Sequence, residues 1–139
     1  MTVSEAIGRP VPFAELLGIE VTQRGSGSAR LELSVRPELF NSWGAAHGGV
    51  VMTLADVALA AAARTMNPAA IGTITVTMSL TFIGAGHGRL IADARCLRYG
   101  ASLAFCECEI RDVQGGMVAK ALGTFKLRRP PKASPGEER

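Results

Sequence analysis

The segment from Gly48 to Thr65, GGVVMTLADVALAAAART, constrains the fold more than any other part of the chain. Ala, Leu, Met and Val dominate it and Asn67-Pro68 follows it, so it is expected to form one helix that stops there. Arg64 in the last turn suits the negative end of the helix dipole. The apolar residues do not keep to one stripe but surround the helix. No face is left for water, and the rest of the chain is expected to enclose it. A membrane span is excluded, because the apolar run Val50–Ala63 is too short for a bilayer and Asp56 interrupts it.

What encloses the helix is written as strands. Phe13–Leu17 reads as a short helical turn ended by Gly18, followed by strands at Ile19–Arg24 and Ser28–Val35 around Gly25-Ser26-Gly27. From Gly72 the period becomes two, with Ile74, Val76, Met78, Leu80 and Phe82 alternating with Thr and Ser. Strands at Arg89–Tyr99, Ser102–Val113 and Met117–Leu127 follow, expected as a meander. The fold class is therefore α+β: a long central helix wrapped by an antiparallel sheet of about six strands. Small residues on the strands (Ala92, Ala94, Cys96; Ala104, Cys106, Cys108; Ala119, Ala121, Gly123) are expected to meet the helix, which gives the cysteines a packing role. Residues 1–129 are expected as a single domain. Residues 130–139, PPKASPGEER, cannot bury a face and are expected as a disordered tail.

Composition narrows the partners. Hydrophobic residues make up 47% of the chain and charged residues 19%, a balance that fits burial of part of the surface against a second subunit better than a well-filled monomer, although composition alone leaves both open. The formal charge of +3 suits a small polyanion, whereas nucleic acid would need a basic stripe with interleaved aromatics, and those are few and scattered. Three cysteines without CxxC spacing give neither a disulfide framework nor a zinc site, and reduced thiols point to the cytoplasm. Met1–Pro10 has no apolar signal core. With two histidines and no acidic cluster, neither a metal nor another cofactor is expected. No G-x-S-x-G elbow is present, which argues against a Ser-His-Asp hydrolase.

Asp56 is the most informative residue. It is the only charged side chain between His47 and Arg64, and Met52, Thr53, Leu59 and Ala60 around it on the helix offer no cation. Burying an unpaired carboxylate costs roughly several kcal/mol. Either the group is used, or backbone amides or Thr53 satisfy it. The second feature is Asn41-Ser42-Trp43-Gly44-Ala45-Ala46-His47-Gly48-Gly49. Glycines opening a helix leave its first N–H groups free to stabilise developing negative charge, although close packing explains such a pair equally well. His47 alone reads as an orienting histidine, and Asn41 alone as a turn residue.

Combined, these residues form N-x5-HGG-x6-D, which resembles the Asp-type hot-dog thioesterases of the PaaI group, the phenylacetate-pathway and related acyl-CoA thioesterases. The resemblance covers most of the chain, from Phe13–Ile19 through the Thr75–Ile83 strand to the closing Gly116–Phe125 strand. It implies a hot-dog fold and hydrolysis of aryl- or medium-chain acyl-CoA. Asp56 would be nucleophile or general base, and the Gly48 N–H would polarise the thioester carbonyl. His47 would support the helix start, Asn41 would hold water or the carbonyl, and Thr75 would position the water. Gly49, Arg98, Gly100 and Ser102 are implied as substrate contacts. Relatives often place a basic residue after the glycine of the Gly100 turn, where this chain has Ala101, so phosphate contacts are expected from Arg98 or elsewhere.

Spacing bears on assembly. Gly48 and Asp56 lie eight positions apart, about 12 Å along one helix, whereas reacting groups must approach to roughly 3–3.5 Å. A two-fold dimer is therefore expected, with Asn41, His47 and Gly48 from one chain and Asp56 and Thr75 from the other, built by pairing the Gly72–Phe82 strands. The family also pairs dimers into tetramers. Two other readings are a hydratase acting on acyl thioesters, which this motif fits poorly, and a non-hydrolytic acyl-CoA sensor, which the absence of an appended DNA-binding segment and the presence of Asp56 disfavour.

Overall fold

The computed structural model describes residues 1–131; the expected tail, except Pro130 and Pro131, lies outside the described residues. The chain runs α1 (Val3–Ile7), α2 (Pro12–Leu17), β1 (Glu20–Gly25), β2 (Ser28–Ser34), a 3₁₀ turn (Pro37–Leu39), α3 (Gly48–Arg64), β3 (Gly72–Phe82), β4 (Arg89–Tyr99), β5 (Leu103–Asp112) and β6 (Met117–Arg128). The fold is α+β, one antiparallel six-stranded sheet curled around the long helix α3, as the apolar helix requires. Helix α1 is absent from the sequence reading, although Thr2 and Glu5 form a capping box at its start. Its Val3, Ala6 and Ile7 are buried and close one side of α3.

The strand order is β1-β2-β4-β5-β6-β3, so the expected four-strand meander is only partly formed. Strands β4, β5 and β6 follow one another, while β3 pairs with β6 rather than β4, because the other side of β4 is taken by β2. The connection Ile83–Gly88 therefore carries the chain from one edge of the sheet towards its middle, past the start of α3. It is tied there by Ala46 N–H donating to Gly86 O at 2.8 Å, and Val35 N–H donating to Gly88 O at 2.8 Å.

The inner face of the sheet carries the expected small residues: Ala92, Ala94, Ala104, Cys106, Cys108, Ala119 and Ala121 are all buried. Gly123 is held to glycine by packing, since a Cβ there would lie 2.8 Å from Phe125 Cε1 and 3.0 Å from Leu59 Cδ1. Cys96 departs from the pattern. It is only half-buried and sits at a bulge opposite β5, where its thiol donates to Arg98 O.

Two other expectations change. Helix α3 is not enclosed on all sides: Gly49 and Met52 are exposed, and Gly48, Thr53 and Asp56 are half-buried. These residues recur every three or four positions, so they form one uncovered stripe along the N-terminal part of the helix. The alternation of β3 is also interrupted. A bulge at Val76, where the pairing passes from Thr75↔Phe125 to Thr77↔Thr124, shifts which residues face inwards. Before it, Thr73 and Thr75 sit opposite buried Leu127 and Phe125; after it, Met78, Leu80 and Phe82 sit opposite buried Gly123, Ala121 and Ala119.

Candidate active site

The uncovered stripe begins where the loop Asn41–His47 turns into α3. The Asn41 carbonyl Oδ1 accepts from Trp43 N–H (2.8 Å) and Ala45 N–H (3.1 Å), an Asx turn that throws Trp43 outwards. Gly44 in this loop takes a left-handed φ of +77°, which its lack of a Cβ allows. The side-chain oxygen of Asn41 is thus used in shaping the loop, and its amide NH₂ is the part left to meet a substrate.

The first amides of α3 can be accounted for one by one. His47 is the N-cap, and its Nδ1 accepts from Gly49 N–H at 2.9 Å. The imidazole in this tautomer, assigned from the hydrogen-bond network, carries its proton on Nε2. Val50 and Val51 N–H both donate to His47 O. Only Gly48 N–H, at the positive end of the helix, has no acceptor among the described residues. Both glycines also sit close to neighbouring side chains. A Cβ on Gly49 would come 3.2 Å from His47 Nδ1, and one on Gly48 would come 3.3 Å from the Phe82 ring. Gly49, expected as a substrate contact, therefore has its amide occupied, while Gly48 keeps the open donor.

Asp56 lies two turns further along the same stripe. Thr53, one of the groups that could have satisfied it, donates instead to Gly49 O. Asp56 Oδ1 accepts a 2.6 Å hydrogen bond from Thr75 Oγ1, which the bulge at Val76 turns inwards. No cation pairs with the carboxylate among the described residues. Burial pushes the Asp56 carboxyl above the ordinary aspartate range, and the Thr75 hydroxyl pulls it part of the way back. A half-buried carboxyl with a raised pKa and no cation beside it is a candidate functional group.

The structure therefore gathers the sequence-derived residues into two half-sites. Asn41, His47 and Gly48 stand at the start of α3, and Asp56 and Thr75 stand about 12 Å further along it. Among the described residues no group of three His, Cys, Asp or Glu could hold a metal ion. No helix among the described residues is long and apolar enough to cross a membrane.

A family model with the description "Thioesterase superfamily" matches residues 44–119, more than half of the chain, a stretch that holds His47, Gly48, Asp56 and Thr75 but not Asn41. The chain belongs to the thioesterase superfamily. A provisionally named esterase of Deinococcus radiodurans is 34% identical over 84% of this chain and 79% of its own length. The structure of a conserved protein from Pseudomonas aeruginosa aligns with a TM-score of 0.81 at 28% identity, covering 88% of this chain and 97% of that one. The E. coli PaaI protein from the phenylacetic acid degradation operon shares the fold, with a TM-score of 0.78 at 24% identity over 84% of each chain. The architecture is that of a hot-dog-fold thioesterase.

In this hot-dog chain one cationic feature was not anticipated from the sequence. A groove of about 680 Å³ is lined by Ile74, Ala101, Ser102, Lys126, Arg128 and Arg129. None of these cations pairs with a carboxylate among the described residues. Ile74 faces this groove while the next residue, Thr75, reaches Asp56. The expected substrate contacts are divided: Ser102 lines the groove, Gly100 closes the turn through its N–H to Leu103 O, and Arg98 is exposed on β4 outside it. The groove escaped sequence reading because its residues come from three distant segments; the run Lys126–Arg129 was the available signal. Another groove, of about 570 Å³, is lined partly by the ion pairs Arg30–Asp93 (2.7 Å) and Arg95–Glu107 (2.6 Å), whose charges already satisfy each other.

Proposed function

We propose that this protein hydrolyses acyl-CoA thioesters, with aryl- or medium-chain acyl groups as substrates, at a site shared by two copies of the chain. The observation that carries this reading is the single uncovered stripe of α3, with an unoccupied Gly48 N–H at one end and the Thr75-bonded Asp56 at the other. An amide donor for a developing oxyanion and a carboxylate to supply the nucleophile are what thioester hydrolysis needs. Family membership supports thioester hydrolysis in general.

Both half-sites lie along β3: Thr75 donates to Asp56, and further on the Phe82 ring stands where a Cβ on Gly48 would point. An antiparallel pairing of β3 with its copy, about a two-fold axis midway between these residues, sets Thr75 of one subunit beside Phe82 of the other. Gly48 of one subunit then approaches Asp56 of its partner, which the 12 Å separation within a chain (about, along the helix) forbids. In the reaction, ionised Asp56 either takes a proton from water as the resulting hydroxide attacks the carbonyl, or attacks the carbonyl itself. The second route forms an acyl anhydride that water then hydrolyses to the acid and free Asp56. In either route the carbonyl electrons move onto oxygen at the Gly48 N–H and collapse expels CoA thiolate. The thiolate takes its proton from protonated Asp56 in the first route and from the hydrolytic water in the second. No cofactor enters this scheme. The groove at Lys126, Arg128 and Arg129 is positioned to receive CoA phosphates, and a dimer of dimers is compatible with it.

The test is thiol release from a panel of aryl- and alkyl-CoA thioesters by wild type and Asp56→Asn. Turnover by wild type that falls by roughly 10²–10⁴ in the variant supports the reading. Binding of CoA esters without turnover moves it to a sensor, and full activity in Asp56→Asn refutes the role of the carboxylate. Light scattering that finds only monomer refutes the shared site.

A further inference from the structure

The Phe82 ring is the side chain that lies where a Cβ on Gly48, the residue that bears the open amide, would point. An ideal Cβ on Gly48 would meet Phe82 Cζ at 3.3 Å and Cε1 at 3.4 Å, so the ring occupies the space a side chain at position 48 would take. Yet the ring is not a core residue: it is 54% exposed, whereas the inward residues opposite it on β6 are buried. Met52, 43% exposed, lies four positions after Gly48 and four before Asp56 on the uncovered stripe. A carbonyl oxygen accepting from Gly48 N–H, at roughly 2.9 Å, brings its substituents to the residue against which the ring is laid.

We propose that Phe82 is a specificity-determining residue: its exposed ring, laid against Gly48, contacts the acyl group of the bound thioester and favours aryl and longer alkyl acyl groups over short ones. This rests on the thioesterase reading above and adds to it the wall that ranks acyl groups. An aromatic face offers an aryl ring an offset-stacked or edge-on contact and an alkyl chain ordinary apolar burial. The polar end of the substrate has its own partners in Gly48 and Asp56, so the ring acts on preference rather than on the chemical step.

The experiment measures kcat/KM for acetyl-, butyryl-, octanoyl-, benzoyl- and phenylacetyl-CoA with wild type, Phe82→Ala, Phe82→Leu and Asp56→Asn. Phe82→Ala is expected to lose efficiency in proportion to acyl size, least with acetyl-CoA and by about 10- to 100-fold with the aryl esters. Phe82→Leu keeps apolar area without a ring, so it should recover octanoyl-CoA more than the aryl esters. A loss equal for every acyl group, or no loss, overturns the proposal. So does conversion of the Phe82 variants to monomers by light scattering, which would give the ring an assembly role instead. Wild type inactive on every ester, or Asp56→Asn fully active, would mark failure of the thioesterase reading itself.

Discussion

Replacing Thr75 by alanine isolates the hydrogen bond that Asp56 receives. The bond is short, 2.6 Å, and joins a hydroxyl donor to a carboxylate that burial otherwise penalises. A hydrogen bond to an ionised group contributes about 1.5–3 kcal/mol. At about 1.4 kcal/mol per factor of ten, that is roughly a 10- to 150-fold loss in kcat/KM if ionised Asp56 is the reacting form. Thr75 stabilises the charged carboxylate, so it lowers a pKa that burial raises. Without it burial acts unopposed, and the acid limb of the pH–rate profile moves to higher pH. The loss is therefore greatest on the acidic side and shrinks as rising pH ionises Asp56 again. Thr75→Ser keeps the hydroxyl and should keep both the limb and most of the rate. Losing the donor also removes what stabilises the ionised carboxylate in the fold. At neutral pH the alanine variant should therefore unfold more easily than wild type by about 1.5–3 kcal/mol, a gap that narrows on acidification. The assay is thiol release from a single acyl-CoA across the pH range, with urea unfolding alongside. A Thr75→Ala profile with an unmoved acid limb, or a serine variant as slow as alanine, would refute the assigned role.

Three further outcomes follow from the same geometry. Asp56→Asn should be more stable than wild type at neutral pH: a carboxyl whose folded pKa is raised stabilises the fold while protonated and loses that contribution as pH rises through the folded pKa. The gap in melting temperature should close on acidification. Gly123→Ala should cost about 1–3 kcal/mol in denaturant unfolding, because its Cβ would press on Phe125 and Leu59 within 2.8 and 3.0 Å. Thiol labelling of the native protein should modify half-buried Cys96 before Cys106 and Cys108, since burial pushes the Cys108 thiol up to about 12 and also raises Cys106, leaving little thiolate to react. Peptide mapping after timed labelling reads the order.

The helix, the strands and the candidate residues from Asn41 to Asp56 rest on local signals, whereas Thr75 came from the family resemblance alone. Asn67-Pro68 ends α3 in the sequence and in the structure, and the small residues Ala92, Ala94, Cys106 and Ala119 face it as their sizes require. What was not legible depends on information that a linear pattern does not carry. Thr, Ile and Val are all β-branched and fit either face of a strand, so nothing in TITVTM marks the bulge at Val76 or shows that Thr75 and Met78 both turn inwards. The pairing of β3 with β6 instead of β4 is set by what β2 leaves open, which lies far away in the chain. An apolar helix surface likewise looks the same whether sheet or partner covers it, so Met52 was read as enclosed when it stands exposed. Helix α1 was readable and was missed: Thr2 and Glu5 spell a capping box.

The exposed features of the single chain converge on one contact. Strand β3, GTITVTMSLTF, is an eleven-residue edge without a charged side chain or proline, the devices by which edge strands usually avoid pairing with other chains. Its bulge bends it locally, yet Ile74 and Val76 remain 44% and 53% exposed. The uncovered stripe of α3 lies along the same strand, with Thr75 donating to Asp56 and the Phe82 ring standing where a Cβ on Gly48 would point. A fold that merely tolerated an open edge would have no reason to leave its buried-type carboxylate and its unoccupied helix amide beside that edge. The proposed two-fold pairing of β3 covers the edge and the stripe together, and it brings the amide of one chain to the carboxylate of the other. It follows that substitutions such as Val76→Lys, which charge the edge and touch neither half-site, should dissociate the subunits and abolish thioester hydrolysis in parallel. Activity that persisted in such a monomer would show that one chain completes the site alone, and the distance between Gly48 and Asp56 would then need another explanation.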